Sequence, residues 1–268
     1  MPDVWAAFSE LDADTQEQLA GVLETRGSNP QQRELRRAFL AGIPFPPDAR
    51  VLEVGCGTGV LTRELALRPG VGSVVGVDAA PSLLREARGR AAGLPDLAFR
   101  EADARSLPFE DGTFDAVVFY TTLSHVPGPE LALAEAFRVL RAKGHLAAFD
   151  GDYATGTVAL GDHDPLQACL DAIAGTFVHD RWLARRLPSL VRGGGFDEAR
   201  LRGHSFVETD EAGYMLGIVD RAIDASRASG RFGDDMAAAL KSEARGRVGA
   251  GTFFGHIAYV SLVARKPA

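Results

Sequence analysis

The chain reads as an α/β protein built on a mostly parallel sheet with helices on both faces. Three observations predict this. From about residue 50, short apolar runs alternate with amphipathic helical stretches; strands and helices of these lengths in alternation imply parallel strands joined by crossover helices. The first strand, Val51 to Gly55, runs into glycines at alternate positions, Gly55, Gly57 and Gly59, and a helical pattern, Leu61 to Arg68, follows at once. The bulk numbers, 46% hydrophobic and 24% charged over 268 residues, are those of a globular chain long enough to bury a sizeable core.

Residues 1 to 45 carry helical stripes: Asp3 to Phe8, Asp14 to Thr25, and Gln31 to Leu40 with Leu35, Phe39 and Leu40 on one face. Pro30, after Gly27-Ser28-Asn29, suits the first turn of the third. Ile43-Pro44-Phe45-Pro46-Pro47 forces an extended entry to strand one. Strand two is Ser73 to Asp78, with a helix from Pro81. Strand three is Leu97 to Arg100, strand four Phe114 to Tyr120. A helix opens at Pro129, with Gly144 read as its C′ glycine, and His145 to Phe149 is strand five.

Beyond Asp150 the rhythm changes. Pro165 to Gly175 and Arg181 to Arg192 read as helices, the second kinked or restarted at Pro188. Leu201 to Val207 and Phe253 to Ala264 read as strands, with Ala-rich helices broken at Gly230 and Gly233 between them. The expected organisation is one domain: residues 1–45 an N-terminal helical lid, 46–150 a cofactor-binding core, and 151–268 the remaining strands with a helical cap inserted at about 211–250.

Composition excludes several function classes. The net charge of -7 with scattered Lys and Arg disfavours nucleic acid. The densest basic runs, Arg33 to Arg37 and Arg181 to Arg186, read as solvated helix faces. Two cysteines, Cys56 and Cys169, give neither a disulfide framework nor a metal-ligand spacing. No apolar run approaches the roughly 18 residues of a membrane span. The N-terminus is unlike a signal peptide. These place the chain in the cytoplasm, away from membranes, as a monomer or homodimer acting on a small molecule.

The glycine spacing selects the ligand. A dinucleotide fingerprint is G-x-G-x-x-G; here Val60 stands where its last glycine belongs. Glu53, two residues before the first glycine, would repel a pyrophosphate and suits a cationic amino-acid end. Asp78 ends strand two, 19 residues after Gly59, where a carboxylate takes both hydroxyls of a ribose. Asp103 follows strand three, placed to accept from an adenine amine. An amino-acid end, a ribose and an adenine in that order describe S-adenosyl-L-methionine, with S-adenosyl-L-homocysteine as product. The cofactor set is therefore Glu53, Gly55, Cys56, Gly57, Gly59, Asp78, Ala79, Asp103, Ala104 and Tyr120, Cys56 entering as a small residue of the loop.

Val51 to Gly59, Val75-Gly76-Val77-Asp78, Glu101 to Phe109 and Phe114-Asp115-Ala116-Val117-Val118 resemble the successive motifs of class I S-adenosylmethionine-dependent methyltransferases, especially the branch with the ubiquinone and menaquinone C-methyltransferases. Leu123-Ser124-His125-Val126-Pro127 and Phe137 to His145 are similar to further segments of that branch, with Lys143 replacing a glycine. The resemblance covers about residues 46 to 150. It implies a Rossmann-like seven-stranded sheet whose antiparallel last strand lies beside strand five.

For catalysis the candidates are His125, His163 and Asp152. The family usually has His at the place of His125 whatever the substrate, which implies a structural or ligand-framing role there. His163 sits beside Asp164, itself a helix cap, and Asp152 lies in Asp150-Gly151-Asp152-Tyr153, read as a loop at the pocket mouth. Thr121, Tyr153 and Tyr214 are candidate substrate contacts. No ligand set for a metal is assigned. Methyl transfer from a sulfonium is an in-line displacement driven by positioning and exclusion of water. Two other readings stay open: a protein of this fold that binds the cofactor without methylating, and a nicotinamide-dependent oxidoreductase, against which Val60 and Glu53 both count.

Overall fold

The computed structural model describes residues 3–5, 7–173, 175, 178–210 and 213–268. After a 3-10 turn at Phe8–Glu10 come α1 (Ala13–Ser28) and α2 (Pro30–Ala41). Asp12 caps α1 by accepting from the Thr15 amide, and Asn29 caps α2 from the Gln32 amide with Pro30 at the first turn. The stretch expected as a helix from Asp3 to Phe8 forms turns among its described residues.

The sheet follows: β1 (Ala49–Val54), α3 (Val60–Ala66), β2 (Val71–Asp78), α4 (Pro81–Arg90), β3 (Leu97–Glu101), β4 (Phe114–Tyr120), α5 (Pro129–Val139) and β5 (Leu140–Thr157). The remainder is α6 (Pro165–Ile173), α7 (Leu183–Gly193), β6 (Asp197–Glu208), α8 (Gly213–Ala228), α9 (Asp234–Gly249) and β7 (Gly255–Arg265). The seven strands lie in the order β3-β2-β1-β4-β5-β7-β6. β7 runs antiparallel to both neighbours and sits beside β5; the other described pairings are parallel, as the resemblance implied.

β4 shows why these strands are apolar almost throughout. Ala116, Val118 and Tyr120 pack into one core with Phe39 of α2 and Ile218 of α8, while Val117 and Phe119 pack into a second with Leu133 of α5 and Leu187 of α7. Both faces are buried, so alternation of side chains leaves no polar face.

Three local expectations change. α5 ends at Val139, not at a C′ glycine, because Leu140 already pairs with Phe114 of β4. Lys143 takes the left-handed turn instead (φ 67°), and a Cβ on Gly144 would stand 2.9 Å from the Arg141 carbonyl oxygen. Residues 150–153 are strand, not loop. β4 stops at the Tyr120–Phe149 pair, but β5 continues against β7 through Asp150–Val260, Gly151–Tyr259 and Asp152–Ala258. The β5–β7–β6 edge thus projects beyond the carboxyl ends of β1 and β4. Pro188 lies inside a continuous α7, neither ending nor restarting it. α8 and α9, between β6 and β7, pack on each other, and α8 also meets α1 and α6.

Candidate active site

The carboxyl ends of β1, β2 and β4 open onto a cavity of about 310 Å³, the position where ligands bind in open α/β sheets. The glycine turn forms its floor. Gly55 has φ 73° and would put a Cβ 2.2 Å from the Thr122 methyl, so only glycine fits between β1 and the segment after β4. The turn is fastened sideways to β2. The Gly55 and Cys56 amides donate to the Val77 carbonyl at 2.8 and 2.9 Å, and the Gly57 amide donates to Asp78 Oδ2 at 2.8 Å. Gly55, Cys56 and Gly57 line the cavity.

Gly59 is outside that lining. It opens α3 with φ 78°, and its Cα faces Phe99 of β3 and Ala87 of α4; an added Cβ would lie 2.9 and 3.2 Å from them. Its smallness serves helix-on-sheet packing, which corrects its place among the ligand-lining residues. Cys56 is buried, and burial pushes its thiol well up, so it stays a neutral small side chain.

Three carboxylates stand along this end. Glu53 is 2% exposed and accepts from the Thr62 hydroxyl. Burial pushes its pKa up to about 8, with the Thr62 bond opposing. Asp78 holds the Gly57 amide on one oxygen and the Ala80 amide on the other at 2.9 Å. Burial raises its pKa although those amides favour the ionised form. Asp103 is exposed at the rim, forked by Arg105, whose guanidinium lowers the Asp103 pKa. Ala79 and Ala104 complete this part of the wall.

The opposite end is aromatic and cationic. Tyr120, Thr121, Tyr153 and Tyr214 are brought together there from β4, the β5 extension and α8. Tyr120 stacks on Phe149, which stacks on Tyr259, with ring centroids 5.0 and 5.1 Å apart. The Tyr120 hydroxyl is buried with no hydrogen-bond partner among the described residues. Arg26, from the last turn of α1, lies over the Tyr120 ring at 5.5 Å and donates to Thr121 Oγ1 at 2.5 Å. All four tyrosines of the chain are within electrostatic reach of Arg26.

His125 lies in the cavity wall, half-buried. Its Nδ1 is 2.7 Å from Oδ2 of the buried Asp3, which also accepts from the His179 amide. A carboxylate on Nδ1 selects the tautomer with its proton there and leaves Nε2 as an acceptor.

Asp152 and His163 stand outside this wall. Neighbouring residues of a strand face opposite ways: Tyr153 meets the cavity, while Asp152 accepts from Arg185 Nε of α7 at 2.9 Å. His163 is exposed in the turn before α6. Asp164 beside it caps α6 through the Leu166 amide, as its place before Pro165 predicts, and pairs with Arg247. Neither correction touches His125.

The reading from sequence passed over Asp3, Arg26 and Arg221, and took Arg36 for a solvated residue. Arg36 is 2% exposed, held by Glu64 and the Gly27 carbonyl. One signal finds all three arginines. Each falls on a core-facing helical stripe: Leu19, the half-buried Val22 and Leu23, and Arg26; Gln32, Arg36, Phe39 and Leu40; Tyr214, Ile218, Arg221 and Ala222. A charge at the core-facing position of a helix calls for a partner or a ligand.

Comparison with known proteins agrees with this geometry. Residues 52–148 match the family model described as a methyltransferase domain. A ubiquinone/menaquinone biosynthesis C-methyltransferase of Roseobacter denitrificans is 32% identical over 178 residues, 58% of this chain and 69% of its own length. A demethylmenaquinone methyltransferase of Thermus thermophilus is 42% identical over 117 residues, 43% of this chain and 52% of its own. Among solved structures, a phosphoethanolamine N-methyltransferase 2 of Haemonchus contortus, in complex with phosphomonomethylethanolamine and S-adenosylhomocysteine, shares the fold. Its TM-score is 0.61 at 18% identity, over 96% of this chain and 58% of the other. The chain spans from 44% to 69% of the length of such curated relatives. Among the described residues no helix is long and apolar enough to cross a membrane.

Proposed function

The chain belongs to the class I S-adenosylmethionine-dependent methyltransferase family, and from that premise we propose that it transfers a methyl group from S-adenosylmethionine to an O, N or C atom of a small organic molecule. The observation that carries the reading is the polarity of the cavity: three carboxylates at the ends of consecutive parallel strands on one side, an aromatic and cationic wall on the other.

The residues fit the cofactor group by group. Asp78, already ordered by two amides, takes the ribose hydroxyls. Asp103 accepts from the adenine amine at the rim. Glu53, buried and lacking a cationic partner within ion-pair distance among the described residues, faces the ammonium. Arg26 takes the methionine carboxylate. Gly55, Cys56, Gly57, Ala79 and Ala104 admit the ligand close to the backbone. When bound, the cofactor supplies a methyl group on a sulfonium, an electrophile ready for in-line displacement.

The protein's own part is positioning and desolvation. The ring of Tyr120 offers a π face to a positive sulfur. Thr121, Tyr153 and Tyr214 wall the acceptor. His125, with Asp3 holding its Nδ1 proton, presents Nε2 to take a proton from an acceptor hydroxyl or amine. Every residue named comes from one chain, so the reading requires no second copy.

Titration calorimetry tests it. S-adenosylhomocysteine should bind and NAD should not, and radiolabel from methyl-labelled S-adenosylmethionine should pass to phenols, amines or quinone precursors in a screen. Binding of NAD but not of S-adenosylhomocysteine would sink the reading.

A further inference from the structure

A second cavity, of about 140 Å³, lies between α2 and the β5–β7–β6 edge. Directly opposite residues of antiparallel strands share a face. The pairs Arg200–Val263 and Arg202–Ser261 therefore set both arginines on the face where Val263 packs with Phe39 of α2. His145 of β5, opposite Arg265 of β7, joins them near the amino end of the parallel strands, the end away from the cofactor cavity. Phe39 and Ser261, both buried, line the floor, and none of the described residues lines both cavities.

The charges of this groove do not balance. Arg200, Arg202 and Arg265 meet one acid, Glu198, an excess of two positive charges in a chain of net charge -7. Glu198 reaches Arg265 at 3.5 Å, with both side chains exposed, a pair worth little. Among the described residues the guanidiniums of Arg200 and Arg202 make no hydrogen bond or ion pair. Alternate residues of one strand stand roughly 7 Å apart, so the two forks repel each other at a spacing that lets both reach one oxyanion. Their field is felt nearby: burial and then Arg265 pull the His145 pKa down, with Glu198 opposing, and burial and then Arg202 pull that of His204 down. Charges on an edge strand also discourage pairing with another sheet. That purpose does not call for three arginines on one face beside a cavity.

We propose that this groove binds a phosphate monoester, held between the guanidinium forks of Arg200 and Arg202 with Arg265 as a further donor. Planar N–H pairs match phosphate oxygens, and an excess of two positive charges suits a dianion better than a single carboxylate. The groove is less than half the size of the cofactor cavity, so it takes the phosphoryl group and leaves the rest of the ligand outside. A soluble ester and a lipid headgroup carry the same group, and the test separates them. The site stands apart from methyl transfer and does not depend on that reading.

The experiment uses the full chain at low salt and two probes: phenyl phosphate by calorimetry, and vesicles of phosphatidic acid in phosphatidylcholine by sedimentation. Phenyl phosphate is expected to bind the wild type with a Kd of about 1 mM or tighter. Arg200→Gln and Arg202→Gln should each weaken it at least about tenfold, the loss of a charge-assisted bond. Neither should lower the thermal midpoint, because both side chains are exposed and each substitution removes one of two repelling charges. Vesicles that carry down the wild type but neither variant identify the ligand as a lipid headgroup. Vesicles that carry down none of the three, while phenyl phosphate binds, identify it as a soluble ester. A wild type that binds neither phenyl phosphate nor the vesicles overturns the proposal, and that result needs no variant to fold. Binding left unchanged by both substitutions overturns it too, because the anion would then lie elsewhere.

Discussion

The two ends of the cavity are built by different means. Glu53, Gly55, Gly57, Asp78 and Asp103 all sit at or just beyond the carboxyl ends of β1, β2 and β3. These strands are consecutive in the chain and adjacent in the sheet, so parallel pairing alone sets their ends side by side. The opposite wall takes Arg26 from α1, Tyr120 from β4, Tyr153 from the β5 extension, and Tyr214 and Arg221 from α8. Nothing local joins those segments; the packing of α8 against α1 does. On the proposed function, local architecture therefore supports the nucleoside part of the cofactor site, and long-range packing supports its methionine end and the choice of acceptor. Variants at the two ends should fail in different assays.

The largest separation is expected at His125. His125→Ala should lower kcat for an acceptor that must lose a proton by about a hundredfold or more, with S-adenosylhomocysteine affinity within about twofold of wild type. Asp3→Asn removes the acceptor for the Nδ1 proton. It should lower kcat by about tenfold with S-adenosylhomocysteine affinity within about twofold of wild type, a split between kcat and binding that a merely structural contact would not produce. An unchanged kcat in His125→Ala would remove the base from the acceptor end.

The reciprocal test is Asp78→Ala. It deletes the proposed ribose acceptor and releases the Gly57 and Ala80 amides together. S-adenosylhomocysteine affinity should fall by about tenfold to a hundredfold, the worth of one or two charge-assisted hydrogen bonds. Calorimetry that finds it unchanged would contradict the assignment of this end to the nucleoside.

The comparison also explains what could be read in advance. The sheet and its carboxylates were legible because apolar runs, turn glycines and strand-terminal acids recur within residues 51 to 103. Asp152 was misread because strand five was ended at Phe149. Pairing with β7, distant in the chain, carries it on to Thr157 and so decides which of Asp152 and Tyr153 faces inward. His163 stands in the exposed turn before α6, outside the cavity wall, and its neighbour Asp164 is held by Arg247, distant in the chain. Arg26 and Arg221 were within reach, since a charge on an apolar stripe is visible in the sequence. Asp3 was not, because only the folded chain brings it to His125.

Glu53 sharpens the comparison through pH. Its carboxyl has a pKa of about 8 in the fold against 4.5 for the ordinary group. A raised folded pKa means the fold holds the proton. The stabilisation is complete below about 4.5 and is lost as pH rises through about 8. The thermal midpoint of the unliganded protein should therefore decline across that window, and the decline should flatten in Glu53→Gln. A bound ammonium favours the ionised form, so the ligand dependence has the opposite sign. S-adenosylhomocysteine affinity should climb from pH 6 to 8, by at most about tenfold per pH unit, with proton release visible as a buffer-dependent binding enthalpy. A pH-independent affinity in the wild type would take the ammonium away from Glu53.

The smallest effect on binding is expected at Gly59, although it belongs to the same motif as Gly55 and Gly57. It keeps a left-handed φ of 78° and is pressed on Phe99 and Ala87, outside the cavity lining. Gly59→Ala should cost about 1–3 kcal/mol of stability from backbone strain and crowding, lowering the thermal midpoint by about 2–4 °C for each kcal/mol. S-adenosylhomocysteine affinity should stay within about threefold, the ligand meeting the loop at Gly55 and Gly57. Calorimetry on Gly59→Ala, held well below its own thermal midpoint, separates the two contributions. An affinity loss as deep as that of Asp78→Ala would return Gly59 to the binding surface, and the cofactor end would then extend into the first turn of α3.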